Sequence, residues 1–296
     1  MINAHPALPK FEYLRPDTLS QACKFLAGHT AEARPLTGGT DIFVRMRDGV
    51  WKDKYLVDIK GFEGMGELFY DPLQGLTIGA AVNMNQVIAH PQVREHYLVL
   101  VESAKSVASY QLRNRATIVG NICNASPAGD TIGACLLLEA VLNVQGVEGV
   151  RQEPLGTFFL GPGMTKLKAG DIVTSIHLPS PPPGFTGTYI KLGRNKASDL
   201  SIVGVTAVGY PDGSAASGYR FKLALASVAP VPLVVPAVED LLSQQPITEG
   251  TLIEAADKAM EACTPIDDVR ASGRYRKLMA RNLSLKALKE VWHGLS

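Results

Sequence analysis

The sequence predicts an α+β chain made of more than one folding unit, and three observations carry that expectation. The chain has 296 residues, more than one compact domain usually holds. Its opening, from Phe11 to Ile59, reads as a β-α-β unit of crossover size. After a proline cluster between Pro179 and Gly184, three long strand candidates precede a run of helices. That order marks a meander with helices on one face. The expected divisions are 1–60, 61–180 and 181–296.

Each element has its own local reason. Phe11 to Arg15 is a short strand ending at Pro16. Asp17 or Thr18 can cap a helix whose apolar positions Leu19, Ala22, Cys23 and Leu26 keep helical spacing, and Gly28 ends it. Arg34 to Leu36 is a strand, followed by a glycine turn and a helix through Arg47; Tyr55 to Ile59 is the next strand. Glu67 to Tyr70 and Leu76 to Ala80 pair around Asp71-Pro72. Asn83 can cap a helix through Ile88, Pro91 permits a new turn, and Leu98 to Ala108 is helical. Thr117 to Val119 reads as a β-branched strand, and Thr131 to Ala140 as a helix apolar on most sides. Val141 to Gln145 and Gly149 to Arg151 form a hairpin, and Asp171 to Leu178 a strand. The later strands are Gly187 to Gly193, Ile202 to Tyr210 and Gly218 to Val228. Two helical stripes follow, one through Leu252, Ala256, Ala259, Met260 and Cys263, the other through Tyr275, Leu278, Met279 and Leu283.

Composition narrows the function classes. Hydrophobic residues make up 46% and charged residues 19%, ordinary for a globular protein. A net charge of +1 gives no reason to expect nucleic acid or a membrane surface as partner. No apolar run approaches the ~18 residues of a membrane span, and Met1 to Lys10 lacks a signal core, so a cytoplasmic location is expected. The four cysteines (Cys23, Cys123, Cys135, Cys263) and six histidines do not cluster, so no metal site is expected. The cationic series Arg270, Arg274, Arg276, Lys277, Arg281, Lys286 and Lys289 reads as a solvated face or a subunit contact.

Two stretches could carry chemistry. In Thr37-Gly38-Gly39-Thr40-Asp41, adjacent glycines allow a sharp turn and close approach to a ligand, and the following amides suit a pyrophosphate. The same residues also suit a plain tight turn with Thr40 as a helix cap. In Thr117-Ile118-Val119-Gly120-Asn121, the expected strand, glycine turn and helix give a second anion-binding loop. Asp130 is placed either to cap the next helix or to accept from ligand hydroxyls. Lys191 either extends into solvent from its strand or places positive charge beside an electron-accepting ring or a phosphate. The Gly38-Gly39-Thr40-Asp41 stretch fits neither the dinucleotide nor the P-loop glycine fingerprint.

The ordered set is more specific than any member. Phe-x-Tyr-x-x-Pro at Phe11 to Pro16, Thr-Gly-Gly-Thr-Asp at Thr37 to Asp41, Val-Asp-Ile at Val57 to Ile59 and Ile-Gly-Ala at Ile78 to Ala80 come first. Gln111 to Ile122, Ala-Ser-Pro-Ala-Gly-Asp ending at Asp130, Tyr-x-Lys at Tyr189 to Lys191, Ala-Pro-Val-Pro at Ala229 to Pro232 and Tyr275-Arg276 follow. This chain resembles, along nearly its whole length, the FAD-binding medium subunit of the molybdenum hydroxylases, the family of xanthine dehydrogenase and carbon monoxide dehydrogenase.

The resemblance implies a two-subdomain FAD-binding fold of the vanillyl-alcohol-oxidase type, then a three-stranded sheet with a C-terminal helical bundle. It implies a first cofactor loop of Leu36, Thr37, Gly38, Gly39, Thr40 and Asp41, and a second of Thr117, Gly120, Asn121 and Ile122. Asp130 would contact the ribityl or pyrophosphate part, Ile172 or Val173 would pack on the isoalloxazine, and Lys191 would lie near the flavin. It also implies an FAD-dependent oxidoreductase subunit with no catalytic acid–base residue of its own. Electrons would come from iron–sulfur clusters on a small subunit, substrate chemistry would belong to a molybdopterin-binding large subunit, and the assembly would be a dimer of heterotrimers. Relatives usually carry glycine where this chain has Val119. A free-standing flavin oxidoreductase and a flavin-free assembly subunit are the competing readings.

Overall fold

The computed structural model describes residues 7–195 and 198–296. The opening unit contains β1 (Glu12–Leu14), α1 (Leu19–Gly28), β2 (Ala33–Leu36), α2 (Ile42–Arg47) and β3 (Tyr55–Asp58). Its three strands are parallel in the order β1-β3-β2. Thr18 caps α1 by accepting the Gln21 N–H. A small core of Leu36, Ile42, Met46 and Leu56 sits under α2.

The middle of the chain is a five-stranded antiparallel sheet wrapped by short helices. Its strands are β4 (Leu68–Asp71), β5 (Gly75–Gly79), β6 (Val141–Gly146), β7 (Gly149–Pro154) and β10 (Ile172–Leu178), in the order β4-β5-β10-β6-β7. A separate two-stranded hairpin, β8 (Phe159–Gly161) and β9 (Met164–Thr165), precedes β10. Between β5 and β6 run α3 (Met84–Ala89), α4 (Pro91–His96), α5 (Leu98–Lys105), α6 (Tyr110–Arg113), α7 (Ile118–Asn124) and α8 (Ile132–Leu137). The Asn83 expectation holds in full: Asn83 and Gln86 form a reciprocal capping box on α3. Helix α8 is buried on nearly every side, as its apolar composition requires.

The C-terminal sheet holds β11 (Thr186–Leu192), β12 (Val203–Pro211), β13 (Tyr219–Ala226) and β14 (Leu233–Val234) in sequential antiparallel order. Three strands were expected here, and the fourth lies inside the proline-rich passage Pro230 to Pro236. Only two residues, Leu233 and Val234, pair there, against Leu225 and Ala224. A two-residue edge strand between prolines has no periodicity to announce it. Helices α9 (Pro236–Gln244) and α11 (Gly273–Leu295) cover one face of this sheet, with α10 (Glu249–Ala262) packed on both, while α5 and α8 approach the other. Strand β12 is therefore buried from Val203 to Gly209 and reads as a continuous apolar run.

Further sequence expectations are revised by the structure. Thr117 to Val119 is not a strand: Thr117 is the N-cap of α7, its hydroxyl accepts the Gly120 N–H at 2.9 Å, and only one isolated bridge links Thr117 to Asn83. Three β-branched residues are too few to show a period of two, and a threonine three positions before a free amide is equally a helix start. The expected stripe on α11 holds only in part: Met279 and Leu283 pack against the C-terminal core. Tyr275 and Leu278 are 43% and 44% exposed, whereas Arg276, Ala280, Ser284, Ala287, Leu288 and Val291 are buried. Small residues let the helix approach the sheet closely, so the buried face is not the one with the largest side chains. Arg276 likewise leaves the solvated cationic series. Its Nη1 donates to the Ile202 and Ser227 carbonyls at 2.7 and 3.1 Å, and its Nη2 to Asp268 at 2.7 Å. Among the described residues, no helix is long and apolar enough to cross a membrane.

Candidate functional site

The two glycine-bearing stretches meet. A cleft of about 590 Å³ runs between them, lined by Thr37 to Asp41 from one side and by Thr117, Val119, Gly120 and Asn121 from the other. That volume lies in the range of small-molecule and cofactor sites. The close fit of the two stretches explains Gly38: a Cβ there would lie 2.1 Å from the Arg115 carbonyl oxygen, which is backbone and cannot step aside. Gly39 has φ +74°, a left-handed conformation that glycine adopts without strain. Among the described residues, no acceptor meets the backbone N–H groups of Gly38, Gly39, Thr40 and Asp41. Thr40 does not cap α2; the N-cap position is Asp41, which makes no side-chain capping bond.

On the other wall, Gly120 lies inside the first turn of α7 rather than in a loop. A Cβ on it would come within 2.8 Å of the Thr117 hydroxyl that holds the helix start. The Asn121 Oδ1 accepts from the Thr131 hydroxyl at 2.7 Å, which fixes the amide and leaves its Nδ2 donors unused by described residues. Val119 is 4% exposed; it packs into the main core and also borders the cleft. Its side chain is thus part of the wall. Cys123 reaches the cleft but has protein atoms on most sides, and that burial pushes its thiol up to about 12. Such a thiol is a poor nucleophile.

Asp130 is neither free nor a helix cap. Its Oδ1 accepts from the Tyr189 hydroxyl at 2.6 Å and its Oδ2 from Lys191 Nζ at 2.8 Å. These bonds join a cleft residue to two alternate positions of β11, about 60 residues further along the chain. Side-chain exposures of 7% for Asp130 and 14% for Lys191 make this a largely buried ion pair. Burial raises the Asp130 carboxyl, opposed by the Lys191 charge and by the bonds from Lys191 and Tyr189. Burial and the neighbouring carboxylate push the Tyr189 hydroxyl well above its ordinary value. Lys191 also donates to the Ser106 carbonyl, and borders a second opening beside the cleft that Asp130 does not reach.

The remaining expected residues divide cleanly. Ile172 and Val173, at the start of β10, line the cleft. Leu36 and Ile122 do not; both side chains turn into cores, at 3% and 0% exposure. They flank the glycine stretches in sequence, and alternation along a strand or rotation around a helix sends them inward.

Sequence reasoning missed a cluster beside the first glycine turn. Arg34, Arg45 and Trp51 all line the cleft. The Arg34 guanidinium lies 3.7 Å from the Trp51 ring centroid and that of Arg45 lies 5.0 Å from it. Arg34 Nε also donates to the buried Asp53 at 3.0 Å. These residues come from β2, α2 and the approach to β3, so no local motif contains them. The acidic groups bordering the cleft are mostly neutralised: Asp130 by Lys191, Asp171 by Arg151 and Asp199 by Arg194.

Comparison with known proteins agrees with this architecture. Residues 9–181 match the family described as the FAD binding domain in molybdopterin dehydrogenase, and residues 188–291 match the CO dehydrogenase flavoprotein C-terminal domain. The carbon monoxide dehydrogenase medium chain of Hydrogenophaga pseudoflava is 30% identical over 284 residues, covering 96% of this chain and 98% of the relative. The xanthine dehydrogenase FAD-binding subunit of Escherichia coli O157:H7 is 29% identical over 280 residues, covering 94% and 95%. A solved structure of the Hydrogenophaga pseudoflava carbon monoxide dehydrogenase superposes with a TM-score of 0.92 at 30% identity, covering 98% of this chain and 100% of that one. The chain therefore belongs to the FAD-binding medium subunits of the molybdopterin-dependent hydroxylases, the carbon monoxide dehydrogenase and xanthine dehydrogenase family.

Proposed function

We propose that this chain holds one FAD in the cleft between its two glycine-bearing stretches and serves as the electron outlet of a three-subunit molybdenum hydroxylase. The observation that carries the reading is the pair of walls. One presents four consecutive amides that meet no acceptor among the described residues, and a Cβ at Gly38 would strike Arg115 and one at Gly120 would strike Thr117. Gly38, Gly39, Thr40 and Asp41 would donate to the pyrophosphate, with Thr117, Gly120 and Asn121 opposite. Ile172 and Val173 would pack against the isoalloxazine. Asp130 would meet the ribityl or pyrophosphate region, and Lys191, fixed by Asp130, would keep positive charge near the flavin. Leu36 and Ile122 would support the stretches from the cores.

When bound, FAD supplies two-electron redox chemistry and can exchange electrons singly with iron–sulfur clusters. The polypeptide's part is to position the group, exclude water through the apolar wall and set the local charge. No side chain of this chain acts as a catalytic acid or base in the reading. Iron–sulfur clusters of a small subunit would deliver electrons, and a molybdopterin-binding large subunit would carry out substrate oxidation. The divisions 1–60, 61–180 and 181–296 would serve as two flavin-binding subdomains and a cover, in a dimer of heterotrimers.

The test is flavin content. Protein purified with its partners should carry a single FAD per chain, released on denaturation and identified by chromatography. Replacing Gly39 or Gly120 with a bulky residue should lower that occupancy. Colourless protein that takes up no added FAD would refute the proposal and favour a flavin-free assembly subunit.

A further inference from the structure

We propose that Arg276 is a positioning residue for the cofactor cleft: it does not border the cleft, yet through Ser227 it fixes segment 126–130, which does. The inference rests on the flavin reading above and goes beyond it by giving a role at the cleft to a residue of the C-terminal helices. Ser126, Ala128, Gly129 and Asp130 line the cleft just ahead of α8. Three groups of this segment are held by the C-terminal unit. The Pro127 carbonyl accepts the Ser227 N–H at 2.8 Å, and the Ala128 carbonyl accepts a longer bond, 3.4 Å, from the Ser201 hydroxyl. The Asp130 carboxylate accepts from Tyr189 and Lys191 of β11. Ser201 and Ser227 flank the start of β12 and the end of β13, which is where Arg276 binds.

Ser227 is the joint. Its φ of +66° is a left-handed conformation that is strained for a residue with a side chain. Each of its polar groups is engaged. The N–H goes to Pro127, the hydroxyl donates to the Ser201 carbonyl at 2.9 Å, and the carbonyl accepts from Arg276 Nη1 at 3.1 Å. The same Nη1 donates to the Ile202 carbonyl at 2.7 Å, so one nitrogen ties the approach to β12 to the end of β13. Nη2 is fixed by Asp268 at 2.7 Å, whose carboxylate also accepts the Arg270 and Ala271 N–H groups. At 2% exposure the guanidinium keeps these partners rather than exchanging them for water. A strained backbone position persists only where its neighbours over-determine it, and such strain gathers at ligand-holding sites. Without Arg276 the Ser227 turn can relax, its N–H leaves Pro127, and the cleft segment loses a support. An arginine that only joined helix to sheet would need no onward bond from Ser227 to that segment.

The test uses the full chain, with two readouts. Arg276→Met should weaken FAD binding about 2- to 30-fold in fluorescence titration, the range for coupling carried through intervening residues. In the same variant, freed of flavin, amide hydrogen exchange of segment 126–130 should quicken. Leu288→Ala is the control, a truncation of a buried core residue about three turns further along α11. It should lower the unfolding temperature, yet leave FAD affinity within about twofold and the exchange of that segment unchanged. Ser201→Ala removes the hydroxyl between Ala128 and Ser227 while Arg276 stays in place. It should quicken the same exchange, and it decides the matter if Arg276→Met does not fold. Equal losses of FAD affinity in Arg276→Met and Leu288→Ala would overturn the positioning role while leaving the flavin reading intact. So would unchanged exchange of segment 126–130 in folded Arg276→Met, or in Ser201→Ala where that variant decides. Wild-type protein that takes up no FAD would overturn both.

Discussion

Removing Lys191 tests the link between the C-terminal sheet and the cleft. In Lys191→Met the hydrophobic stem is kept and the ammonium is lost. Asp130, 7% exposed, is then left with the Tyr189 hydroxyl at 2.6 Å as its side-chain partner. Breaking a buried ion pair costs about 3–5 kcal/mol because one charge stays uncompensated. The retained Tyr189 bond places the expected loss at the lower end, about 3 kcal/mol. In Asp130→Asn/Lys191→Met the uncompensated charge is gone and Asn can still accept from Tyr189, so the double variant should recover about 2 kcal/mol. Urea denaturation of the four proteins gives the cycle directly. The pH dependence has a defined sign. Without Lys191, the already raised Asp130 carboxyl rises further. A raised carboxyl contributes stability that is present below its unfolded value and lost as pH rises through the folded one. The deficit of Lys191→Met should therefore grow as pH rises above the ordinary carboxylate range. A single-variant loss below about 1 kcal/mol, or a double-variant loss equal to the sum of the singles, would refute the claim that the pair is buried and coupled.

Two further outcomes follow from the geometry. Gly38→Ala should lose about 1–3 kcal/mol and most of its flavin, because the new Cβ, 2.1 Å from a carbonyl, forces the walls apart. Gly120→Ala meets only the Thr117 hydroxyl, and the cap it disturbs, about 1 kcal/mol, is offset by the better helix propensity of alanine. Calorimetry that ranks the two equally would contradict this difference. Asp268 supplies an acid-side prediction. Burial would raise its carboxyl, but the Arg270 N–H and the Arg276 guanidinium hold it down at about 2. A depressed carboxyl gives stability that is present above its unfolded value and lost as pH falls through the folded one. Wild-type unfolding temperature should therefore drop between about pH 4 and about pH 2, and Asp268→Asn should flatten that part of the curve.

The sequence was legible where local signals and global packing agree. Thr18, Asn83 and Gly28 sit at helix ends because capping is a matter of four or five consecutive residues. The alternation in β6 shows which side faces the core. The ordered motifs were enough to place the chain in its family. Local patterns failed where two structures share one pattern, as at Thr117 to Val119, or where close approach matters more than side-chain size, as along α11.

By itself, then, the sequence determined which stretches bear the glycines and amides of the cleft, because turn chemistry and helix starts are encoded over a few neighbours. Only the tertiary structure decided what those stretches face. Gly38 needs its glycine because of Arg115, 77 positions away in a different unit. Asp130 looked like a cap or a ligand contact; it is no cap, and while it borders the cleft it also anchors Tyr189 and Lys191 of β11. Arg34, Arg45 and Trp51 carry no motif at all until the parallel crossover stacks them. Pairing of charges and stacking of rings depend on distances through space, and those are set by packing rather than by order along the chain.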